Sequence, residues 1–143
     1  MNASSNVSNF EIANKVAMTA VLFRKYFPDA SVNFSPWDNS NDKDWSDTID
    51  FFFYFPGWSP SLECRAVLLQ LRIDNNCENG VPKLLGIIMK GMITPTERWR
   101  VATVGQWEMT GTHLPQKEQK DNLFSVCKEL YNLFSTTSTS NKN

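Results

Sequence analysis

Asp38, Ser40, Asp42, Asp44 and Ser46 alternate through the stretch DNSNDKDWS, the spacing at which a calcium loop places oxygen ligands at its positions 1, 3, 5, 7 and 9. Oxygen donors on every second residue can converge on one hard cation. The same count then fails, because Lys43 stands where glycine is needed for the sharp turn and Ile49 where a bidentate glutamate should close the shell. We therefore expect a solvated acidic connector and no metal. From Asp29 to Asp50 six acids (Asp29, Asp38, Asp42, Asp44, Asp47, Asp50) face the single base Lys43, and mutual repulsion keeps such a loop in water.

Nucleophilic catalysis needs a base beside a serine or thiol, and His113, in TGTHLP, is the one histidine of the chain. Cys64, Cys77 and Cys127 have no CxxC spacing, so neither a zinc site nor a disulfide framework is indicated, and reduced, mostly buried thiols are expected. Glu63, Glu97 and Glu108 form no recognisable acid and base pair, and neither GxGxxG nor GxxxxGK[ST] occurs. The sequence predicts a chain without catalytic residues and without a cofactor.

The remaining residues with functional potential are aromatic and basic. FFFYFPGW, Phe51 to Trp58, offers Phe52, Tyr54 and Trp58, and RWR, Arg98 to Arg100, offers two guanidiniums around Trp99. Aromatic rings with flanking arginines suit either a protein interface or stacking on single-stranded nucleic acid. Strand alternation sets Arg98 and Arg100 opposite Trp99 and Trp107, which would separate phosphate contacts from base stacking, and burial in the core is the expected role of both tryptophans. The net charge of -1 and a middle segment of six bases against four acids (Leu62 to Val104) also disfavour nucleic acid, where phosphate neutralisation supplies most of the affinity.

These residues must be positioned by a fold that 143 residues can build as one domain, with a core large enough to need no staple. SNFE, Ser8 to Glu11, is a capping box, and Ile12, Val16, Ala20, Phe23 and Phe27 continue at helical spacing until Pro28 stops the helix. Five segments rich in β-formers follow: ASVNFSPW, TIDFFFYF, LECRAVLLQLRI, KLLGIIMKGMI and RWRVATVGQWEM. Their connections are too short for parallel crossovers, so an antiparallel meander is expected. A last helix starts near Pro115 and carries Leu123, Val126, Cys127, Leu130, Leu133 and Phe134 on one face. The reading is α-β-β-β-β-β-α, a two-layer α+β domain over residues 9–134, with a flexible N-terminus at 1–8 and a disordered tail at 135–143. MNASSNVSN has no basic or apolar leader character and no membrane-length apolar run occurs, which predicts a cytoplasmic location without membrane contact.

The central strands are apolar on both sides: Val67, Leu69, Leu71 and Ile73 alternate with Cys64, Ala66 and Leu68, and Phe51, Phe53 and Phe55 with Phe52 and Tyr54. Five strands make a sheet about 24 Å wide, and two helices of about 10 Å diameter cover one face of it, which leaves the second to be closed over by a curled sheet's own loops and long side chains, by a partner or by a ligand. The expectation is therefore a non-catalytic domain acting by protein-protein contact, with a partner protein or a second copy in a homodimer, through an apolar sheet face that includes Phe52, Tyr54 and Trp58 with Arg98 and Arg100 near by. The alternatives are a pocket for an apolar small ligand inside a curled sheet, and weak binding of single-stranded nucleic acid.

Overall fold

The computed structural model describes residues 2–3, 10–36, 48–74 and 83–135. The acidic positions Asp38 to Asp47 and the thiol Cys77 lie outside the described residues. Helix α1 (Phe10–Tyr26) is followed by strands β1 (Ser31–Asn33), β2 (Thr48–Ser59), β3 (Cys64–Asp74), β4 (Lys83–Ile93), β5 (Thr96–Ala102) and β6 (Glu108–Gly111), and helix α2 (Lys117–Phe134) closes the chain. The strands form one antiparallel sheet in the order β1-β2-β3-β4-β5-β6, the expected meander with helices at both ends of the chain. Asn2 adds a parallel bridge to Asp50, and Asn2 and Ala3 are buried.

Six strands replace the expected five, because RWRVATVGQWEM is not one strand. Thr103 ends the ladder: its hydroxyl accepts the Ile87 amide at 2.9 Å, and its own amide donates to the Ile87 carbonyl at 3.1 Å. Gly105 then takes a left-handed conformation at φ 82°, which glycine adopts without steric cost, and β6 folds back along β5. Strict alternation would have put Trp107 beside Trp99 in the core. The turn instead carries Trp107 to the flank of α2, 41% exposed, with its ring 6.2 Å from Phe124 and 5.7 Å from Tyr131.

Ile49, Phe51 and Phe53 on β2 pair with Leu71, Leu69 and Val67 on β3, which pair in turn with Ile87, Met89 and Gly91 on β4. Those side chains are buried with Phe23 of α1 and with Leu123, Val126, Cys127 and Leu130 of α2, forming the sheet face that the helices cover. Phe23 stacks on Phe53 with ring centroids 4.0 Å apart. A β-bulge between Arg72 and Ile73 changes the parity of early β4, so Leu84 turns into the core and Leu85 turns out to solvent.

Trp99 is the largest fully buried side chain, and its register partners are both glycines, Gly91 on β4 and Gly111 on β6. A methyl group on Gly91 would lie inside the indole, and one on Gly111 would meet the Arg98 carbonyl and the Trp99 Cα. The indole Nε1 donates to the Leu62 carbonyl at 2.6 Å, in the turn between β2 and β3. Neighbouring bonds hold the same turn: Arg98 Nε donates to the Glu63 carbonyl at 2.7 Å, and the Gln116 amide donates to the Ser61 carbonyl at 3.0 Å.

The edges of the sheet are short. β1 has 3 residues and β6 has 4, whereas β2, β3 and β4 have 12, 11 and 11. β1 reaches only the middle of β2, pairing with Phe52, Phe53 and Tyr54, and the distal part of β2 contains Pro56 and Gly57.

Gly91→Ala should lower stability by about 1–3 kcal/mol through overpacking against the indole, read as a lower urea midpoint at unchanged slope. Trp99→Phe makes room for that methyl group, so the double variant should cost less than the sum of the two single changes. Strictly additive costs would show that the two residues do not share one slot.

Candidate functional site

The sheet face turned away from the helices carries three cross-strand rows. Phe52, Leu68, Lys90 and Arg100 are successive register partners across β2, β3, β4 and β5, as are Asp50, Gln70, Ile88 and Ala102, while Tyr54, Ala66 and Met92 form a shorter row. Strands about 4.8 Å apart place Phe52 and Arg100, three strands apart, about 14 Å from each other. Asp50, Ala66 and Leu68 are buried on this face, although neither described helix packs its core residues there. The register partners of Ala66 and Leu68 in these rows are Phe52, Tyr54, Lys90 and Met92, long side chains of the kind that can shade small apolar neighbours. Among the described apolar residues of these rows Tyr54 is the most exposed, at 44%, beside the half-buried Phe52, with ring centroids 6.4 Å apart.

Trp58, 42% exposed, belongs to a second cluster at the distal end of β2. The Arg98 guanidinium lies 5.1 Å from its ring centroid, and Arg98 Nη2 is 3.0 Å from Glu63 Oε1. Glu63 takes the left-handed conformation at φ 56°, the geometry that closes the turn and aims its carboxylate at Arg98. Arg100 forms a two-pronged pair with Glu97, Nε and Nη2 each 3.0 Å from a carboxylate oxygen, and this bond raises its pKa. Of the five expected residues, the structure joins Phe52 with Tyr54 and Trp58 with Arg98, and it sets Arg100 on β5, three strands from the β2 aromatics.

The two carboxylates were not anticipated as partners of the arginines. Alternation assigns Glu97 to the side of Trp99, but a register shift between Gly91 and Met92 makes Met92, on the outer face, the partner of Glu97. The acid then reaches Arg100. The sequence signal was the acid three residues before an arginine next to the Thr94–Pro95 hairpin.

His113 lies in an exposed loop, with its Nδ1 3.0 Å from the Thr112 hydroxyl. Cys64 and Cys127 are buried, and burial pushes both thiols up to about 12. A nucleophilic cysteine requires the opposite shift. Among the described residues no group of three His, Cys, Asp or Glu side chains is placed to hold a metal ion, and no helix is long and apolar enough to cross a membrane. A shallow cleft of about 170 Å³ lies between the end of α1, the distal half of β2 and the start of α2, lined by Tyr26, Phe27, Phe55, Ser59 and Gln119 among others.

Fold and faces together define a two-layer α+β domain with one helix-covered sheet face and a second face of mixed polarity. The chain belongs to a family described as a domain of unknown function, whose model matches residues 4–136. No curated protein and no solved structure matches it.

Two consequences can be measured on the thiols. In a Cys77→Ser background, Cys64 and Cys127 should resist a thiol reagent at pH 8 in the native state and react within the dead time after unfolding; native-state labelling at the rate of a free thiol would contradict the burial. A thiol raised from 9.0 to about 12 stabilises the fold fully below the unfolded value and loses that contribution as pH rises between the two. The unfolding midpoint should therefore fall above pH 9, and less steeply in a Cys64→Ala/Cys127→Ala variant.

Proposed function

We propose that this domain is non-catalytic and acts by protein-protein contact through the open sheet face, with Phe52 and Tyr54 as its apolar anchor and Trp58 as a second aromatic contact. The observation that carries the reading is the exposed Tyr54 ring beside Phe52, above a strand whose Ala66 and Leu68 are already dry. Aromatic side chains with a polar tip concentrate at the centres of protein interfaces, where they bury large area at low entropic cost. Lys90, Arg100 and Gln70 around them supply a polar rim of the kind that excludes water from such a centre. The location that fits this reading is the cytoplasm.

The ion pairs of Arg98 with Glu63 and of Arg100 with Glu97 weaken the nucleic-acid alternative, since both guanidiniums are already neutralised. The apolar-ligand alternative has less support than the protein reading, because the described cleft is small, open and lined in part by hydroxyl and amide groups.

A photoreactive amino acid at position 54 should give a discrete protein adduct in the native cell extract, and the same probe at Asp121, on the far side of α2, should give none. Tyr54→Lys should reduce recovery of that adduct partner from wild-type levels by tenfold or more while leaving the unfolding midpoint within about 0.5 kcal/mol, as expected for an exposed position. Equal labelling from both positions would remove the support for a specific face.

A further inference from the structure

Lys90 lies near the middle of the second sheet face, half-buried on β4. Its register partners are Leu68 on β3 and Arg100 on β5, and its neighbours two residues away along the strand, on the same side of the sheet, are Ile88 and Met92. Beyond Leu68 in the same row stands Phe52, two strands and about 10 Å away, with Tyr54 at roughly 12 Å on the diagonal. The lysine is thus set among apolar residues on three sides. On the fourth, Arg100 is already matched, since Glu97 gives one oxygen to its Nε and the other to its Nη2. Asp50 and Glu108 belong to the neighbouring row, each two strands from β4 and about 12 Å from Lys90. Among the described residues Lys90 makes no ion pair and no hydrogen bond.

We infer that the segment bound by this face is acidic: one Asp or Glu carboxylate sits on the Lys90 ammonium while an apolar side chain of the same segment packs on Phe52 and Tyr54. The inference rests on the reading of the face as a protein-binding surface, and it names the chemistry of the partner. Charge complementarity selects that occupant. A lysine ringed by apolar residues loses its water when a partner covers the face, and an ammonium left unpaired there carries a large desolvation penalty. A carboxylate that reaches it turns the loss into a charge-assisted bond, strengthened by dry surroundings. A second copy of the chain fits less well, because face-to-face packing about a two-fold axis through the middle of the face sets Lys90 against Lys90. A nucleic-acid strand running from Lys90 toward β6 carries its phosphates onto Glu97 and Glu108. Three residues of extended chain span about 10 Å, the separation of Phe52 from Lys90, so the acid stands three positions from the apolar residue in a segment that crosses the strands.

The test pans a displayed library of random peptides on the full chain and measures the recovered sequences, as synthetic peptides, by fluorescence anisotropy. Peptides that bind wild type and not Tyr54→Lys should carry an Asp or Glu three positions from an aromatic or aliphatic residue. Their affinity should fall at least tenfold with Lys90→Glu, and also with Lys90→Met, which keeps an apolar stem and removes the charge, while Lys90→Arg should preserve it. The unfolding midpoints of all three variants should match wild type. A peptide whose acid is changed to lysine should lose wild type and regain Lys90→Glu. Peptides that depend on Tyr54 but lack an acid, or that ignore Lys90→Glu, would overturn the acidic partner and leave the face itself standing. The absence of any Tyr54-dependent peptide would remove both. An oligothymidylate that binds more tightly than the acidic peptides, and is lost in Lys90→Met, would overturn the proposal in favour of phosphate.

Discussion

Trp99 sits in a slot that exists only because β4 and β6 present glycine on either side of it, and its one polar atom reaches back across the sheet to the Leu62 carbonyl. That single bond joins β5 to the β2–β3 turn. It would be of little use alone, since a neutral hydrogen bond contributes about 1 kcal/mol. Its value comes from what shares the site. Arg98, the preceding residue, holds Glu63 in the same turn, the following turn amides Thr112 and His113 donate to the Arg98 carbonyl, and Gln116 ties the start of α2 to Ser61. The β2–β3 turn, the β5–β6 pair and the entry to α2 thus converge on one buried indole, and this positions both the Trp58 cluster and the distal end of the open face.

The second long-range tie is between the helices. Lys15 gives its ammonium to a carbonyl of the last turn of α2, where the helix dipole is negative, and Glu129 binds both Lys25 and the Tyr26 hydroxyl. Burial lowers the Lys15 pKa, while its bond to the helix end keeps the charged amine satisfied. The cost of desolvating an ammonium is accepted at this position, and the outward side of α1 carries Phe10, Ala17, Met18 and Val21 along with Arg24 and Lys25. Helix polarity here follows the needs of the helix pair, not the usual rule of polar residues outside.

Much of the architecture was legible in the chain. Helix spacing, Pro28, and the alternation of Val67, Leu69 and Leu71 against short connections were enough to place two helices around an antiparallel sheet. What escaped was every feature that depends on a change of strand register. Leu85 turned outward, Glu97 crossed to Arg100, and Trp107 left the line of Trp99, each because one extra or left-handed residue reverses the alternation from that point on. Gly105 was the one sequence mark of such a break. The apolar second face was read from residue types, with closure by loops and long side chains as one way to cover it; the burial of Ala66, Leu68 and Asp50 on that face could not be assigned residue by residue without the register. On α1 the helical spacing of Ile12, Val16, Ala20, Phe23 and Phe27 named the buried side, and only the burial of Lys15 and Thr19 beside them was not legible.

The brevity of β1 and β6 has a further meaning for a chain so rich in aromatic and β-branched strands. A long free edge beside FFFYF would offer unpaired amides and carbonyls to any extended chain it met, and ordered aggregation would follow. Here the long strands are interior, and the part of β2 that β1 leaves uncovered contains Pro56, which has no amide proton to offer, and Gly57, which departs from extended geometry at φ 141°. The sheet ends itself at both margins. Short edge strands and a proline give an extended chain little ladder to join, and the aromatic rings of β2 stand on faces of the sheet, away from that edge hydrogen bonding.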